Sequence, residues 1–208
     1  MRGFQGFDKI APFYDGLSFL IFGNLLLKAQ LEFISLSRPP CKILIVGGGT
    51  GKLLEEICKR YPEGLDIHYL DFSIKMIEKG KRKNIYKNRV CFEVENIANF
   101  KSSTESYDVI LTPFFMDCFE VIAQEKIHTM LGNSLKSGGL WFFTDFHLNA
   151  FSPPWQKWLV RWMYRFFFRA CGLKDCRLPD AEALFTSYKL LNGKSFLGNF
   201  ILSNVYRK

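Results

Sequence analysis

The chain has 208 residues, a formal net charge of +8 and 48% hydrophobic residues. This length and apolar content predict one globular domain with a buried core and argue against disorder, while the positive charge favours anionic partners. The six cysteines include no C-x-x-C pair and no local cluster with histidines. That arrangement argues against a zinc site or a disulfide framework and is typical of a reduced intracellular protein.

Residues 1–40 are predicted to form an N-terminal helical cap. They lack the charged, apolar and small-residue order of a signal peptide. The apolar run 17–27 is too short to span a bilayer and contains Gly23 and Asn24. We therefore expect a cytoplasmic protein.

Residues 41–149 are predicted to form the core, because strand and helix patterns alternate along them. Strands are predicted at 43–46, 66–71, 90–94, 107–112 and 139–144, and helices at 51–60, 74–83 and near 120–135. Ser73 directly precedes the second helix and is predicted to cap it. Apolar strands between amphipathic helices indicate an α/β fold, a doubly wound Rossmann-like and mostly parallel sheet of about seven strands with helices on both faces.

The C-terminal third differs from the core. Residues 150–178 form a predicted insertion with an aromatic, basic helix, and 179–208 a predicted helix and C-terminal antiparallel hairpin. In an open α/β sheet the ligand lies beyond the carboxyl ends of the strands. Both the cap and the insertion can reach that edge.

A glycine-rich turn follows the first predicted strand. Its residues are Gly47-Gly48-Gly49-Thr50-Gly51, and Asp71 follows twenty positions after the last glycine. Such glycines permit unusual backbone angles and close approach of a ligand, and an acid at that distance is placed to bind ribose hydroxyls. The sequence therefore predicts a nucleotide-binding turn.

Two phosphate-binding interpretations of this turn fail on spacing. Lys52 stands where a dinucleotide fingerprint needs its third glycine. Val46 and Leu53 replace the first glycine and the hydroxyl residue of a Walker A loop. The remaining pattern suits a nucleoside without a phosphate chain.

The order and spacing of these motifs resemble the class I S-adenosylmethionine-dependent methyltransferases. The glycine turn is similar to that family's first motif, and Asp71-Phe72-Ser73-Ile74-Lys75-Met76 to its D-x-S-x-x-M motif. Residues 90–97 resemble the third strand with its polar adenine contact, and 135–139 the L-K-x-G-G turn. The F-D-x-I-A-x-x-Y-D pattern at 7–15 resembles the branch that includes the ubiquinone/menaquinone-biosynthesis C-methyltransferases.

This resemblance implies S-adenosylmethionine as the cofactor. The residues that it implies as cofactor contacts are Tyr14, Gly47, Gly48, Gly49, Thr50, Gly51, Asp71, Phe72, Ser73, Met76, Asn96, Ile97 and Thr112. Two positions depart from the family pattern: Ile45 stands where an acid is common, and Asn96 where an aspartate is usual. Asn96 can still donate to or accept from an adenine edge.

Methyl transfer from a sulfonium depends mainly on alignment and exclusion of water, and it needs no metal. A carbon or phenolic acceptor also needs a base. The candidates at the strand ends are Asp117, Asp145 and His147, each of which can instead be a cap or a solvated loop residue.

Residues 155–170 combine aromatic and basic side chains. Apolar residues recur at helical spacing: Trp155, Trp158, Leu159, Trp162, Met163, Phe166 and Phe167. Lys157, Arg161, Arg165 and Arg169 follow one another at four-residue steps, with no acid between 146 and 174. Two interpretations stay open: peripheral contact with an anionic membrane, or a lid whose aromatic face packs over the cofactor domain.

The sequence thus predicts a methyltransferase acting on a small hydrophobic acceptor, which is aromatic, quinone-like or lipid-like. Aromatic residues of the cap (Phe4, Phe7 and Phe13) and of the insertion favour such an acceptor. Nucleic acid is not expected as a partner, because an N-P-P-Y type motif is missing. Two alternatives stay open: a methyltransferase-like domain that binds without turnover, and a nicotinamide-dependent oxidoreductase, which Lys52 opposes.

Overall fold

The computed structural model describes residues 6–173 and 176–208, so Phe4 lies outside the described residues. The strands are β1 (Cys41–Val46), β2 (Leu65–Asp71), β3 (Arg89–Val94), β4 (Tyr107–Pro113), β5 (Leu135–Phe146), β6 (Lys189–Phe196) and β7 (Ile201–Arg207). The helices are α1 (Gly6–Phe22), α2 (Leu25–Leu31), α3 (Lys52–Arg60), α4 (Ile74–Gly80), α5 (Val121–Ser134), α6 (Pro154–Cys171) and α7 (Ala181–Leu184).

The strands form a seven-stranded sheet in the order β3-β2-β1-β4-β5-β7-β6. β1 to β5 pair in parallel, whereas β7 is antiparallel to both β5 and β6. The strand order reverses between β1 and β4, which is where doubly wound folds open a ligand crevice. The predicted α/β fold with a C-terminal hairpin is confirmed.

Alternation along β1 explains why helices cover both faces of the sheet. Leu44 and Val46 pack in one core cluster with Trp141, while Ile43 and Ile45 pack in another. Because successive strand residues point to opposite faces, a strand that is apolar at nearly every position needs cover on both. Ile45 is therefore a core residue.

The predicted element boundaries are largely confirmed. Ser73 caps α4 as expected, since its Oγ accepts the Met76 N–H at 3.2 Å. α4 ends at Gly80 instead of residue 83, and the following chain turns back toward β3. β5 begins at Leu135, four residues before its predicted start, because Leu135 itself pairs with Tyr107, ahead of a shift in register before the Val109–Leu140 pair.

The N-terminal cap consists of α1 and α2. Phe7 of α1 stacks on Phe167 of α6 with ring centroids 5.8 Å apart. Among residues 6–173 and 176–208, no single helix is long and apolar enough to cross a bilayer, although Gly6–Phe22 together with Leu25–Leu36, bent by 92°, meets the length and composition criteria.

Helix α6 confirms the predicted helix over 155–170, but its aromatic residues do not share one buried face. Val160 and Met163 are buried against the core, whereas Trp155, Trp158 and Trp162 are exposed. Trp155 nevertheless contacts Phe200, with ring centroids 5.9 Å apart, so the lid interpretation stays a prediction. Along the helix, the three tryptophans alternate with the exposed cations Lys157, Arg161 and Arg165.

Candidate active site

The glycine turn between β1 and α3 packs against the Tyr69 ring at Gly48 and has free space beside Gly49. Gly47, Gly49 and Gly51 all have positive φ angles, of 70°, 65° and 84°. A side chain at Gly48 would lie 2.2 Å from the Tyr69 ring, so this glycine permits close packing. A side chain at Gly49 would meet nothing within 4 Å, so the space beside this backbone is free for a ligand.

Asp71 ends β2 beside this turn, because β1 and β2 are parallel neighbours whose carboxyl ends meet. Its carboxylate accepts the N–H groups of Gly49 and Ser73, each at 2.9 Å. Burial raises the pKa of Asp71 to about 6, and those two hydrogen bonds oppose the shift. A carboxylate can accept about four hydrogen bonds, so acceptor positions remain for ribose hydroxyls. The residues present fit an adenosyl group.

A cavity with about 260 Å³ of empty space, part of which is open to solvent, adjoins Asp71. It brings together several predicted cofactor contacts (Gly47, Asp71, Phe72, Asn96 and Ile97) and two further rings, those of Phe115 and Phe119. The Asn96 side-chain oxygen accepts the Ala98 N–H at 3.0 Å, so its NH₂ group is the part that can donate to an adenine nitrogen. We call this space the adenosine cavity.

Two aspartates of α1 fasten the cap to the cofactor side. Asp8 accepts a hydrogen bond from the Ser73 hydroxyl at 2.6 Å, and Asp15 accepts one from the Thr50 hydroxyl at 2.8 Å. Asp15 also pairs with Lys52 at 3.6 Å. The sequence placed both aspartates in the N-terminal motif, but nothing local indicated their partners. The hydroxyls of Ser73 and Thr50 therefore have structural roles, and their contact with the cofactor stays a prediction.

Two other predicted cofactor contacts, Met76 and Thr112, are buried outside the lining of the adenosine cavity. Met76 is buried in α4, one turn after the cap. Thr112 is fully buried in β4 and accepts the indole N–H of Trp141 at 3.0 Å, on the side of the sheet covered by α5 and α7. Neither side chain lines the adenosine cavity. Thr112 lies on the same face of the sheet as Val46 and Leu70, which line that cavity, but its hydroxyl is engaged by the Trp141 indole.

A larger cavity of about 770 Å³, open to solvent, lies between α1, α6 and the carboxyl ends of β4 and β5. Six phenylalanines line it: Phe7, Phe22, Phe114, Phe146, Phe166 and Phe167. Phe114 has a φ of 49°, which is rare for a bulky residue and is the kind of strain that clusters at functional sites. We call this space the aromatic cavity.

Asp117 and Tyr14 are polar groups in the lining of the aromatic cavity. Burial raises the pKa of Asp117 to about 6, and a hydrogen bond from the Cys118 thiol opposes the shift. Burial, reinforced by Cys118, Asp117 and Asp71, raises the pKa of Tyr14, so its phenol stays protonated. Tyr14 is thus within electrostatic range of Asp117 in the aromatic cavity and of Asp71 in the adenosine cavity.

Asp145 lies behind Asp117 and is fully buried. One of its oxygens accepts the N–H groups of Met116 and Asp117, at 3.1 and 3.2 Å, and the other accepts the Phe146 N–H at 2.8 Å. Burial, with the charge of Asp117, raises the pKa of Asp145 well above its usual value. Asp145 therefore fixes the turn that presents Asp117.

The third predicted base, His147, lines neither cavity. It follows β5, and its backbone N–H donates to the Phe200 carbonyl at 2.9 Å. Tyr164, which the sequence did not single out, does line the aromatic cavity. Its hydroxyl is buried without a hydrogen-bond partner among the described residues.

Within residues 6–173 and 176–208, no group of His, Cys, Asp and Glu side chains is arranged to hold a metal ion. None of the six cysteines, all of which lie in the described part of the chain, forms a disulfide. Cys118 and Cys176 lie beside the aromatic cavity, where the Cys176 thiol donates to the Cys118 carbonyl at 3.3 Å.

Comparison with protein families and curated proteins gives methyltransferases. The family model for a methyltransferase domain matches residues 43–139. The ubiquinone/menaquinone biosynthesis C-methyltransferase UbiE of Geotalea daltonii is 30% identical over 167 residues, which is 78% of this chain and 68% of that protein. The demethylmenaquinone methyltransferase of a Roseiflexus species is 32% identical over 110 residues, 52% and 45% of the two chains.

A third relative, malonyl-[acyl-carrier protein] O-methyltransferase 2 of Ilyobacter polytropus, is 34% identical over 143 residues. That match covers 68% of this chain and 52% of the relative. The chain thus spans only about half the length of the Roseiflexus and Ilyobacter relatives.

Solved structures share the fold. A methyltransferase from Aquifex aeolicus superposes with a TM-score of 0.61 at 14% identity, covering 96% of this chain and 97% of that one. The Burkholderia thailandensis 1,6-didemethyltoxoflavin-N1-methyltransferase, solved with S-adenosylhomocysteine, gives 0.64 at 13% identity, covering 98% and 86%. With these matches added to the glycine turn and the buried Asp71, the chain belongs to the class I S-adenosylmethionine-dependent methyltransferases and resembles their ubiquinone/menaquinone branch.

Proposed function

We propose that the protein transfers a methyl group from S-adenosylmethionine to a small hydrophobic acceptor that is aromatic, quinone-like or lipid-like. The observation that carries this proposal is the aromatic cavity, which adjoins the adenosine cavity at the carboxyl edge of the sheet. Its phenylalanines favour a flat or apolar ligand over a sugar or a free amino acid.

Several residues would hold the cofactor, which when bound supplies an electrophilic methyl group on a sulfonium. Asp71 would accept hydrogen bonds from the ribose hydroxyls, and Asn96 and Ile97, which line the same cavity, would contact the adenine. The free space beside Gly49 leaves room for the methionine part of the cofactor next to the glycine turn. Phe7 joins the two cavities, because its ring meets Phe72 edge-on at 5.1 Å and stacks on Phe167.

The polar groups of the aromatic cavity suit an acceptor that must lose a proton. An acceptor carbon or phenol oxygen would form a bond to the methyl carbon as the methyl–sulfur bond breaks and S-adenosylhomocysteine leaves, and the acceptor's proton would pass to the Asp117 carboxylate. A base works best when its pKa lies near the operating pH, and the pKa of Asp117, about 6, leaves it ionised at neutral pH. Tyr14 keeps its proton and can donate a hydrogen bond to an acceptor oxygen. Asp145 acts as a positioning residue.

The printed names of the relatives point to two kinds of acceptor. Two relatives are quinone-biosynthesis methyltransferases, and the third methylates malonyl-[acyl-carrier protein] on oxygen. A malonyl carboxylate is anionic and would be repelled by an ionised Asp117 in an apolar cavity. The lining of the aromatic cavity therefore supports a neutral aromatic or quinone-like acceptor.

Labelled S-adenosylmethionine, incubated with the protein and an organic extract rich in quinones and lipids, tests the proposal. We expect label in the organic phase and a loss of turnover of about 100-fold or more in Asp117→Asn, with unchanged binding of S-adenosylhomocysteine. Asp66→Asn, at an exposed carboxylate of β2, is the matched control and should retain turnover. Cofactor binding without transfer to any apolar acceptor would overturn the proposal in favour of a binding domain without turnover.

A further inference from the structure

Helix α6 turns large aromatic side chains toward solvent. Trp155, Trp158, Trp162 and Phe168 are 46%, 64%, 39% and 54% exposed. A soluble surface rarely concentrates this much aromatic area on one helix, because exposing it to water is unfavourable. The exposed face of α6 is therefore built to contact another phase or molecule.

Cations lie between these aromatic residues. Lys157, Arg161, Arg165 and Arg169 are all exposed on the same face of α6. In the described part of the chain, none of the four forms an ion pair with a carboxylate. Like charges at four-residue spacing oppose helix formation, and an anionic partner would relieve that repulsion.

Two grooves flank the arginine row. Arg161, Arg165 and Arg169 line both of them, one groove with Trp158 and Trp162 and the other with Phe168. Each groove thus combines guanidinium groups, which bind phosphate through a planar set of donors, with an aromatic wall. This is the pairing expected at the boundary between lipid headgroups and acyl chains, where tryptophan concentrates.

We propose that the exposed face of α6 docks on an anionic membrane surface, with its arginines on lipid phosphates and its tryptophans at the headgroup level. Continuity with the aromatic cavity favours a membrane over a nucleic acid. Trp162 and Phe166 stack with ring centroids 5.8 Å apart and line both the groove that contains Trp158 and the aromatic cavity. An acceptor dissolved in lipid would therefore reach the aromatic cavity at the wall that these two rings form. Only this delivery route rests on the proposed function; the docking rests on the exposed face.

Flotation with vesicles of phosphatidylcholine and phosphatidylglycerol tests the electrostatic part. Each basic residue near an anionic surface contributes about 1 kcal/mol, so Arg161→Glu with Arg165→Glu should weaken binding by about 25-fold or more. Arg82→Glu with Lys126→Glu makes the same change of charge on exposed positions of other elements and should float like the wild type. Binding should also weaken as salt is raised and be nearly absent on pure phosphatidylcholine.

Quenching by brominated lipids tests the insertion. Trp155, Trp158 and Trp162 should be quenched, whereas Trp141, the fourth tryptophan, is fully buried and serves as the internal reference. Trp158→Ala should reduce both quenching and affinity. Calorimetry with S-adenosylhomocysteine verifies that each variant is folded, and none of these measurements requires turnover.

Three results would overturn the proposal. The first is flotation of the α6 double variant equal to that of the wild type. The second is an equal loss in both double variants, which would reflect net charge alone. The third is a dimer or RNA complex that depends on Arg161 and Arg165 without vesicle binding, which would assign the face to that partner.

Discussion

The two cavities of this protein are built in different ways. The adenosine cavity is made by backbone and short side chains at the ends of β1 and β2, and two hydrogen bonds fix its acid, Asp71. The aromatic cavity is made largely by side chains of α1 and α6, which lie outside the core of the sheet. The cofactor end is thus determined by the fold, whereas the acceptor end is determined by its additions.

This difference explains what each end tolerates. A change in the glycine turn meets either a positive φ or the Tyr69 ring, so little variation fits there. A change in the lining of the aromatic cavity alters its shape and leaves the sheet intact. Mutations should therefore separate cofactor binding from acceptor binding.

The largest effect on cofactor binding is expected for Asp71→Ala. Losing a carboxylate that holds ribose hydroxyls removes charge-assisted hydrogen bonds, and we expect the affinity for S-adenosylhomocysteine to fall by about 100-fold or more. Calorimetry measures it. Asp66→Ala changes an exposed carboxylate of the same strand and should bind like the wild type. Comparable affinity in Asp71→Ala would remove this residue from the site.

The next largest effect is the dependence of turnover on pH, which is set by Asp117 in the aromatic cavity. The base must be ionised, and burial moves the pKa of Asp117 up to about 6, so activity should be lost as the pH falls through 6. At pH 5 roughly a tenth of the carboxylate remains ionised, and turnover at saturating cofactor should fall about 10-fold. Saturation is required because the pKa of Asp71 is also raised. A flat profile between pH 5 and 7 would contradict the assignment of Asp117.

A smaller effect is expected when the wall of the aromatic cavity is cut back. Phe167 lines the cavity and stacks on Phe7, so Phe167→Ala should raise the KM for the acceptor by about 5-fold, as the loss of roughly 1 kcal/mol of aromatic contact implies. Affinity for S-adenosylhomocysteine should not change. Phe168→Ala removes the neighbouring ring, which is exposed and outside the cavity, and should leave the KM unchanged.

The smallest effect is expected from the loss of a hydrogen bond that joins α1 to the glycine turn. Thr50→Val removes the hydrogen bond to Asp15 and should lower the free energy of unfolding by about 1 kcal/mol, measured in urea. Thr129→Val, which removes a hydroxyl bond to a carbonyl within α5, is the matched control. If only Thr50→Val also weakens cofactor binding, the Thr50 hydroxyl contributes to that binding, either directly or through its bond to Asp15.

The sequence predicted the features that depend on residues close together along the chain. The glycine turn, the Ser73 cap and the core strands have local signals, and the structure contains all of them. The fastening of α1 joins Asp15 to Thr50 and Asp8 to Ser73, pairs that are 35 and 65 positions apart. No local pattern reports such pairs.

Helix α6 shows the same limit on a single element. Its apolar spacing predicted a helix correctly, but which side of that helix is buried depends on where α1 and β5 meet it. Trp158 and Met163 both belong to the predicted apolar stripe, yet Trp158 is 64% exposed and Met163 is buried. Periodicity therefore gave the element and not its orientation.

A crystal structure with S-adenosylhomocysteine tests most directly whether the two cavities form one site. We predict ribose hydroxyls on Asp71, adenine beside Asn96, and the sulfur atom facing the aromatic cavity between Tyr14 and Asp117. A sulfur atom that faces solvent or the far side of the glycine turn, with the aromatic cavity out of its reach, would contradict methyl transfer to an acceptor bound there.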